Sequence, residues 1–275
     1  VEKGQDGGQI SITDEIENYP GQIVDQPESG PSLIARMTEQ AKKFGAERVS
    51  DTIKEVSLEG DVKVLKGEKG EYQAKNIIIA TGAHARPIGC KGEAEFLGRG
   101  VSYCAVCDGP FFKEKTAAVV GGGSAALQDA LYLADICRHV TVIHRRSDFR
   151  ADPILVERAE KTANLTLLRS TVVEALEGSE RLTGLTLLNT AVGEVSHLPV
   201  SALFQAVGLL PESRLARSLG VPVDEAGFIA AGEDCLTPIP GIFAAGDLRA
   251  KEVRQLTTAC ADGAVAALSA CRFCV

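Results

Sequence analysis

Short apolar runs and helical patterns alternate along the first third of the chain. Apolar positions three or four residues apart predict a helix over 33–44, and Gly45 is placed to end it. Strand patterns follow at 49–58 and 62–65. The run at 77–80 is apolar at consecutive positions, which is typical of a parallel strand buried on both faces.

A second pattern begins before the middle of the chain. A buried strand over 116–120 leads into the turn GGGSAA, a helix and a further strand over 139–144, which together predict a strand–helix–strand unit. A helical pattern at 154–163 and a β-rich stretch at 165–207 follow. A last buried strand at 241–247 precedes a Gly/Ala-rich helix, and we expect this end of the chain to rejoin the first part.

Composition and charge narrow the class of protein. Hydrophobic residues make up 45% of the 275 residues, and the formal net charge is −8. That balance is typical of a globular α/β protein and argues against nucleic acid as a general partner. No apolar run approaches the roughly 20 residues that a membrane span requires. Eight cysteines are too few for a disulfide scaffold in a chain of this length, so we expect a reducing, cytoplasmic location.

The turn after the strand at 116–120 has the spacing of a dinucleotide-binding loop. Gly121 permits a tight turn, Gly123 lets a pyrophosphate approach the backbone, and Ala126 lets the helix lie close to the strand. The phosphate would then meet the positive end of the helix. The alternative is a tight turn that binds no ligand.

Three arginines follow the second strand of this unit, where NAD-binding proteins usually carry an acid. Arg145, Arg146 and Arg150 offer planar guanidinium groups that suit a 2′-phosphate, whereas an acid would repel it. The cluster therefore predicts a preference for NADPH over NADH. The alternative is a solvated basic turn.

Two cysteines separated by two residues form the sequence Cys104-Ala-Val-Cys107. Zinc would need a second ligand pair, which Cys271 and Cys274 could formally supply. A structural bridge does not suit a reducing compartment. The pair therefore predicts a dithiol that exchanges electrons, and Asp108, the next residue, is placed to relay a proton.

A hydride donor and a disulfide exchange electrons by different chemistry, and a flavin usually links the two. We therefore expect the chain outside the NADPH-binding unit to hold a flavin. Candidate contacts follow the buried strands, and they are Thr81 and Gly82 after the first and Gly246 and Asp247 after the last. On their own these signals are equally typical of ordinary strand ends.

The order of these motifs resembles that of the low-molecular-weight thioredoxin reductases, over nearly the whole chain. The matching stretches are IATG at 79–82, CAVCDG at 104–109, GGGSAA at 121–126, HRRxxxR at 144–150, and GD followed by RQ between 246 and 255. The flavoprotein component of alkyl hydroperoxide reductase has a similar CxxCDG but lacks the His-Arg-Arg cluster, which favours the first family.

The resemblance implies an α/β fold of two Rossmann-like, three-layer nucleotide-binding domains. An NADPH domain over residues 87–209 would be inserted into an FAD domain formed by residues 1–86 and 210–275. The resemblance also implies a homodimer whose partner and substrate is thioredoxin.

Individual residues gain expected roles from the same resemblance. Cys107 would face the flavin, Cys104 would attack the thioredoxin disulfide, and Asp108 would act as acid and base. The expected FAD contacts are Gly8, Gln9, Asn18, Thr81, Gly82, Gly246, Asp247, Arg254, Gln255 and Leu256. The expected NADPH contacts are Gly121, Gly122, Gly123, Ser124, Ala125, His144, Arg145, Arg146 and Arg150.

The sequence also departs from this family. Its members begin with a strand–glycine turn–helix unit of about 30 residues that holds the FAD pyrophosphate, and the printed sequence starts beyond that unit. We therefore expect the chain as printed to bind FAD poorly. Cys271 and Cys274 share a helix face and offer a second redox pair, although incidental cysteines are the simpler interpretation.

Two alternative functions follow from these observations. The chain could be a flavin-free module that only binds NADPH, or it could reduce a different protein disulfide, such as that of a peroxiredoxin-type partner.

Overall fold

The chain forms two compact units. Unit 1 consists of Val1–His84 and Leu209–Val275, and unit 2 consists of Ala85–Gly208. Both contain helices and parallel strand pairs, which confirms the predicted α/β class. Which nucleotide each unit binds stays a prediction. The computed structural model describes residues 1–13, 15–16, 18–22 and 28–273.

The first helix shows how local sequence sets an element. Ser29 caps it by accepting a hydrogen bond from the Ser32 amide, and Pro31 stands in the first turn, where its missing N–H has no intrahelical partner to lose. The elements up to unit 2 are α1 (Gly30–Lys43), β1 (Ile53–Glu59), β2 (Val62–Gly67), β3 (Glu71–Ala74), β4 (Ile77–Ile79) and β5 (Ala83–Ala85).

Unit 2 is continuous in sequence, and its core is a five-stranded parallel sheet. Its elements are β6 (Val101–Ser102), α2 (Ala105–Asp108), β7 (Thr116–Val120), α3 (Ser124–Ala134), β8 (His139–Ile143), α4 (Pro153–Lys161), β9 (Leu165–Leu168), β10 (Thr171–Gly178), β11 (Leu182–Asn189), β12 (Glu194–Pro199) and β13 (Ala202–Gln205). The parallel strands lie in the order β6–β13–β7–β8–β9.

Side chains alternate between the two faces of this sheet and create three layers. Val119 and Phe204 lie in the core shared with α3 and α4. Ala118 and Leu203, their neighbours in sequence, lie in the core shared with the antiparallel sheet β10–β11–β12. The chain passes from β7 to β8 on one side and β13 lies on the other, so a ligand-binding crevice is expected at the carboxyl end of β7.

The segment that follows unit 2 also belongs to unit 1. The strand β15 (Ile242–Ala244) pairs in parallel with β4, with Ile242 opposite Ile77 and Ala244 opposite Ile79, so the carboxyl ends of the two strands meet at one edge. Neither the 17-residue last helix nor any other in the described part of the chain is long and apolar enough to cross a membrane. The remaining elements are β14 (Leu209–Pro211), α5 (Arg214–Ser218), β15 (Ile242–Ala244) and α6 (Leu256–Arg272).

Candidate active site

The two cysteines of the CxxC sequence lie where β6 passes into α2. Cys104 and Cys107 are joined by a disulfide, with their Cα atoms 5.3 Å apart. Cys104 is the N-cap of α2, and its sulfur accepts a hydrogen bond from the Cys107 amide at 3.2 Å. When the disulfide opens, this amide would stabilise negative charge on the Cys104 sulfur.

A serine that the sequence patterns did not single out links Asp108 to the cysteine pair. The Ser102 hydroxyl donates to Asp108 Oδ2 at 2.5 Å and accepts from the Cys104 amide at 3.1 Å. Ser102 is buried, so this hydroxyl fixes the carboxylate from the interior side. One sequence signal could have identified Ser102. It is a polar residue at the end of a buried strand, two positions before the first cysteine.

The glycine turn of unit 2 joins β7 to α3, and its glycines meet different surroundings. A Cβ on Gly121 would lie 2.5 Å from the Ala206 carbonyl oxygen and 2.6 Å from the Ala126 Cβ, so the backbone leaves no room for a side chain there. Gly123 is the N-cap of α3, and a Cβ on it would meet no atom within 4 Å. Packing therefore requires glycine at Gly121 but not at Gly123.

His144 lies inside unit 2, under the glycine turn. It is 5% exposed, and a Cβ on Gly122 would lie 2.0 Å from its ring. Its Nε2 lies 3.0 Å from the Asp148 carbonyl oxygen, and its ring stacks on Phe149 at 5.0 Å. Burial lowers the pKa of His144, and the nearby Arg150 acts in the same direction. A neutral imidazole therefore supports the turn from below.

The basic turn after β8 is tied to the glycine turn through the backbone. The Arg150 amide donates to the Gly122 carbonyl at 2.7 Å, so the two turns share one hydrogen bond. The side chains of Arg145, Arg146 and Arg150 are exposed. The backbone of this turn is therefore held in place, while its three guanidinium groups are accessible to solvent or to an anion.

The first turn of α3 is held from the side by Asp152. The Ser124 hydroxyl donates to Asp152 Oδ2 at 3.1 Å and accepts from the Asp152 amide at 3.1 Å. Ser124 and Ala125 are the first two residues of α3, so their own amides have no intrahelical acceptor. This leaves two donors directed at the turn.

In unit 1, the predicted flavin contacts gather at the carboxyl ends of β4 and β15. Gly82 and Gly246 have positive φ angles of 74° and 78°, a conformation that favours glycine. The Thr81 hydroxyl donates to the Glu212 carbonyl at 2.7 Å. The Gln9 side chain, from the turn that begins at Gly8, donates to the Ala83 carbonyl.

Asp247 carries a buried oxygen that has no partner. Its Oδ1 is one of three buried side-chain atoms without a hydrogen bond in the described part of the chain, and the other two belong to the Gln205 amide. Burial raises the pKa of Asp247, whereas Lys251 and Arg254 act in the opposite direction. A hydroxyl donor from a ligand would satisfy this oxygen.

The segment that leads into α6 is ordered by its own side chains. The Arg254 guanidinium donates to the Asp247 carbonyl at 3.1 Å and lies 3.9 Å from the centre of the Phe228 ring. Gln255 is the N-cap of α6, which begins at Leu256 and contains a reciprocal capping box. The Asn18 side chain donates to the Gln255 side chain at 3.2 Å.

The zinc alternative gains no support from the geometry. The described residues contain no group of three or more His, Cys, Asp or Glu side chains that could hold a metal ion. Cys271 is exposed near the end of α6, and Cys274 lies outside the described residues, so a second redox pair stays untested.

Comparison with known proteins places the chain in a class. Residues 2–263 match the family described as pyridine nucleotide-disulphide oxidoreductase, and the chain belongs to that family. Within it, the chain is similar to the thioredoxin reductase of Peptoclostridium acidaminophilum, with 43% identity over 99% of this chain and 88% of the relative, and to that of Listeria monocytogenes, with 44% identity over 99% and 85%.

A solved structure extends this similarity to the fold. The thioredoxin reductase of Streptococcus pyogenes is 39% identical and superposes with a TM-score of 0.92, covering 100% of this chain and 89% of that one. These findings support the resemblance to low-molecular-weight thioredoxin reductases and confirm the predicted fold class. That the family carries a further glycine-rich unit before the printed sequence stays a prediction.

Proposed function

We propose that this protein is an NADPH-dependent thioredoxin reductase, which passes electrons from NADPH through FAD to the Cys104–Cys107 pair and on to thioredoxin. The observation that carries the proposal is the disulfide at the start of α2, tied through Ser102 to Asp108. The names of the relatives described above support thioredoxin as the protein substrate. The homodimer and the cytoplasmic location implied by the resemblance stay predictions.

Three features of unit 2 support NADPH as the electron donor. The open space over Gly123 would admit a pyrophosphate, and the free amides of Ser124 and Ala125 would bind its oxygens. The exposed Arg145 and Arg146, with Arg150, would bind the 2′-phosphate. Gly121, Gly122 and His144 would fix the shape of the turn.

Two features of unit 1 support FAD as the relay. The unpartnered Asp247 oxygen would accept a hydrogen bond from a ribityl or ribose hydroxyl, and the turns at Gly82 and Gly246 would let a ligand approach the backbone. The amide of Leu256, at the start of α6, would face the pyrimidine end of the flavin. The remaining contacts, Gly8, Gln9, Asn18, Thr81, Arg254 and Gln255, would border this site.

The reaction balances as a two-electron transfer. NADPH gives a hydride and solvent gives a proton, so the Cys104–Cys107 disulfide becomes two thiols. FAD, when bound, supplies the two-electron link between nicotinamide and sulfur. The Cys104 thiolate then attacks the thioredoxin disulfide, Cys107 displaces the reduced thioredoxin and restores the disulfide, and Asp108 takes and returns the proton.

A visible absorption spectrum tests the proposal first. The purified protein, supplied with excess FAD because the printed chain is expected to bind it poorly, should show a flavin band that bleaches with NADPH in the absence of oxygen and returns when oxidised thioredoxin is added. A protein that takes up no FAD would contradict the proposal and leave an NADPH-binding module. A band restored by another protein disulfide, but not by thioredoxin, would assign a different substrate.

The Cys104→Ser variant tests the roles of the thiols. It should lose thioredoxin reduction by about a hundredfold or more while NADPH still bleaches the flavin band, because only the thiol that attacks the partner is lost. Cys260→Ser, at an exposed cysteine on α6, is the matched control and should keep full turnover. Thioredoxin turnover that survives in Cys104→Ser would show that the thiol assignment is wrong.

A further inference from the structure

A buried carboxylate on α6 accepts hydrogen bonds from the segment that follows β15. Asp262 is 7% exposed and accepts hydrogen bonds from three residues. The Gly246 amide donates at 3.0 Å, and Lys251 Nζ donates at 3.0 Å, both to Oδ2. The Arg249 guanidinium spans both oxygens, at 2.8 Å to Oδ1 and 3.2 Å to Oδ2.

The three charges of this cluster are withdrawn from water. The side chains of Arg249 and Lys251 are 13% and 10% exposed, and that of Asp262 is 9% exposed. Burial alone would raise the pKa of Asp262, but its bonds to Arg249 and Lys251 hold that pKa below the usual value. Since each cation is desolvated, loss of the carboxylate would leave two buried positive charges without their main partner.

The cluster and Arg254 together fix the two ends of one segment, residues 246–255, which we call the clamp loop. Asp262 binds the loop at its first amide, that of Gly246, and again at Arg249. Arg254 fixes the far end, because its guanidinium donates to the carbonyls of Asp247 and Arg249 at 3.1 and 3.3 Å. Few conformations of the loop satisfy all these bonds.

The clamp loop contains the one carboxylate oxygen in the described part of the chain that is buried without a partner, Asp247 Oδ1. Asp247 follows Gly246 directly, so the bond from the Gly246 amide to Asp262 sets the direction of the peptide that carries Asp247. Holding an unsatisfied acceptor in place costs free energy that a fitting donor recovers. The clamp therefore keeps a hydrogen-bond acceptor ready before a ligand arrives.

We propose that Asp262 is a positioning residue for FAD, which acts through Gly246 and Arg249 to hold the Asp247 carboxylate where a ligand hydroxyl can bind it. The inference rests on the proposed function, because it takes FAD as the ligand of unit 1. It assigns to the last helix a role in affinity for the cofactor, in addition to its place in the core.

The test compares Asp262→Asn with a matched variant. Asp51→Asn removes another buried carboxylate of unit 1, whose partners are the Thr52 amide and groups of the β2–β3 hairpin, all outside the clamp loop. FAD is titrated into cofactor-free protein at a temperature where all variants are folded, and the spectrum of the bound flavin is recorded. We expect Asp262→Asn to weaken FAD binding about tenfold or more and to shift the flavin bands, because the clamp loop loses its charged anchor. Asp51→Asn should bind FAD like the wild type and give the wild-type spectrum.

Hydrogen exchange gives a readout that does not need the cofactor. In cofactor-free Asp262→Asn, amides of the clamp loop should exchange faster than in the wild type, whereas those of Asp51→Asn should speed up only in the hairpin. Should Asp262→Asn not fold, Lys251→Gln removes one donor of the cluster and should weaken FAD binding to a smaller but measurable extent, about threefold.

The outcomes separate this inference from the proposed function. If the wild type binds FAD and Asp262→Asn binds it equally well with the same spectrum, the positioning role is wrong and the function stands. Equal loss of affinity in Asp51→Asn also overturns the role, because general destabilisation then explains the effect. If the wild type itself binds no FAD, the proposed function fails and the inference fails with it.

Discussion

Gly122 and Gly123 are neighbours in sequence, yet the structure requires glycine at Gly122 and leaves open space at Gly123. A side chain on Gly122 would collide with the buried ring of His144, whereas a side chain on Gly123 would meet no protein atom within 4 Å. Gly122 is therefore explained by packing. The open space at Gly123 fits the proposal that the NADPH pyrophosphate comes close to the backbone there.

Alanine at each position separates the two explanations. Gly122→Ala should lower the free energy of unfolding by about 1–3 kcal/mol, because the methyl group overpacks against His144. Gly123→Ala should change the free energy of unfolding by less than about 1 kcal/mol, because the stiffer unfolded chain is offset by the preference for glycine over alanine at an N-cap, and should weaken NADPH binding about tenfold. Denaturant unfolding and NADPH titration measure both quantities.

Each variant serves as the control for the other. Normal NADPH affinity in Gly123→Ala would contradict the proposed pyrophosphate site, since the open space would then hold nothing that approaches the Cα. A fully stable Gly122→Ala would show that the His144 ring moves aside easily.

At the scale of elements, a carboxylate from outside the β2–β3 hairpin shapes its turn. Asp51 is 3% exposed and accepts from the amides of Glu68 and Lys69, at 3.0 and 3.1 Å, and from the Tyr72 hydroxyl at 2.8 Å. A Cβ on Gly67 would lie 2.0 Å from this carboxylate. The turn therefore wraps around the charge of a residue that precedes β1.

The pH dependence of stability reports on this contact. Burial acts to raise the pKa of Asp51, but the Tyr72 hydroxyl and the amides that bind it lower that pKa below the usual 3.8. The ionised form is therefore bound more strongly in the folded state. Its contribution is complete above about pH 4 and is lost as pH falls through the lowered folded value.

Asp51→Asn should lower the thermal midpoint at pH 7, because the amide presents one acceptor to several donors. The difference from wild type should shrink as pH falls below about 4, where the wild-type carboxyl also loses its charge. Melting curves from pH 3 to pH 7 measure this. A difference that stays constant across that range would mean that the charge of Asp51 plays no part.

Elements with a strong pattern were predictable from the sequence, and elements set by distant contacts were not. The runs at 77–80 and 116–120 predicted buried strands, and β4 and β7 lie there. The two-residue β6 has no periodicity of its own, since it is defined by pairing with β13. That β10–β12 form a separate antiparallel layer over the parallel sheet also depends on long-range packing.

At the scale of the whole molecule, the candidate site could be predicted only where its residues are close in sequence. The CxxC pair, the glycine turn and the basic cluster are local motifs, and the structure gives each a defined surrounding. By contrast, the clamp loop is held by a bond between residues that are distant in sequence, from the Gly246 amide to Asp262 on α6. A lone aspartate in a Gly/Ala-rich helix was its only trace in the sequence.

The predicted preference for NADPH over NADH can be tested on the whole enzyme. Replacing Arg145 and Arg146 together with alanine should raise the KM for NADPH about tenfold or more and change the KM for NADH little, because NADH lacks the 2′-phosphate. Steady-state kinetics with both nucleotides measures this. Arg138→Ala, at an exposed arginine before β8, is the control. Equal increases in the KM for NADPH and the KM for NADH would contradict binding of the 2′-phosphate by these arginines.

The ends of unit 2 meet, since the Arg86 amide donates to the Gly208 carbonyl at 3.0 Å. Unit 1 is split in sequence, and bringing its halves together across residues 85–208 as a random coil would carry the entropy loss of closing a very long loop. Once unit 2 has folded, the same closure spans only a short gap. Folding of unit 2 before the two halves of unit 1 meet would therefore reduce the entropy loss of assembling unit 1.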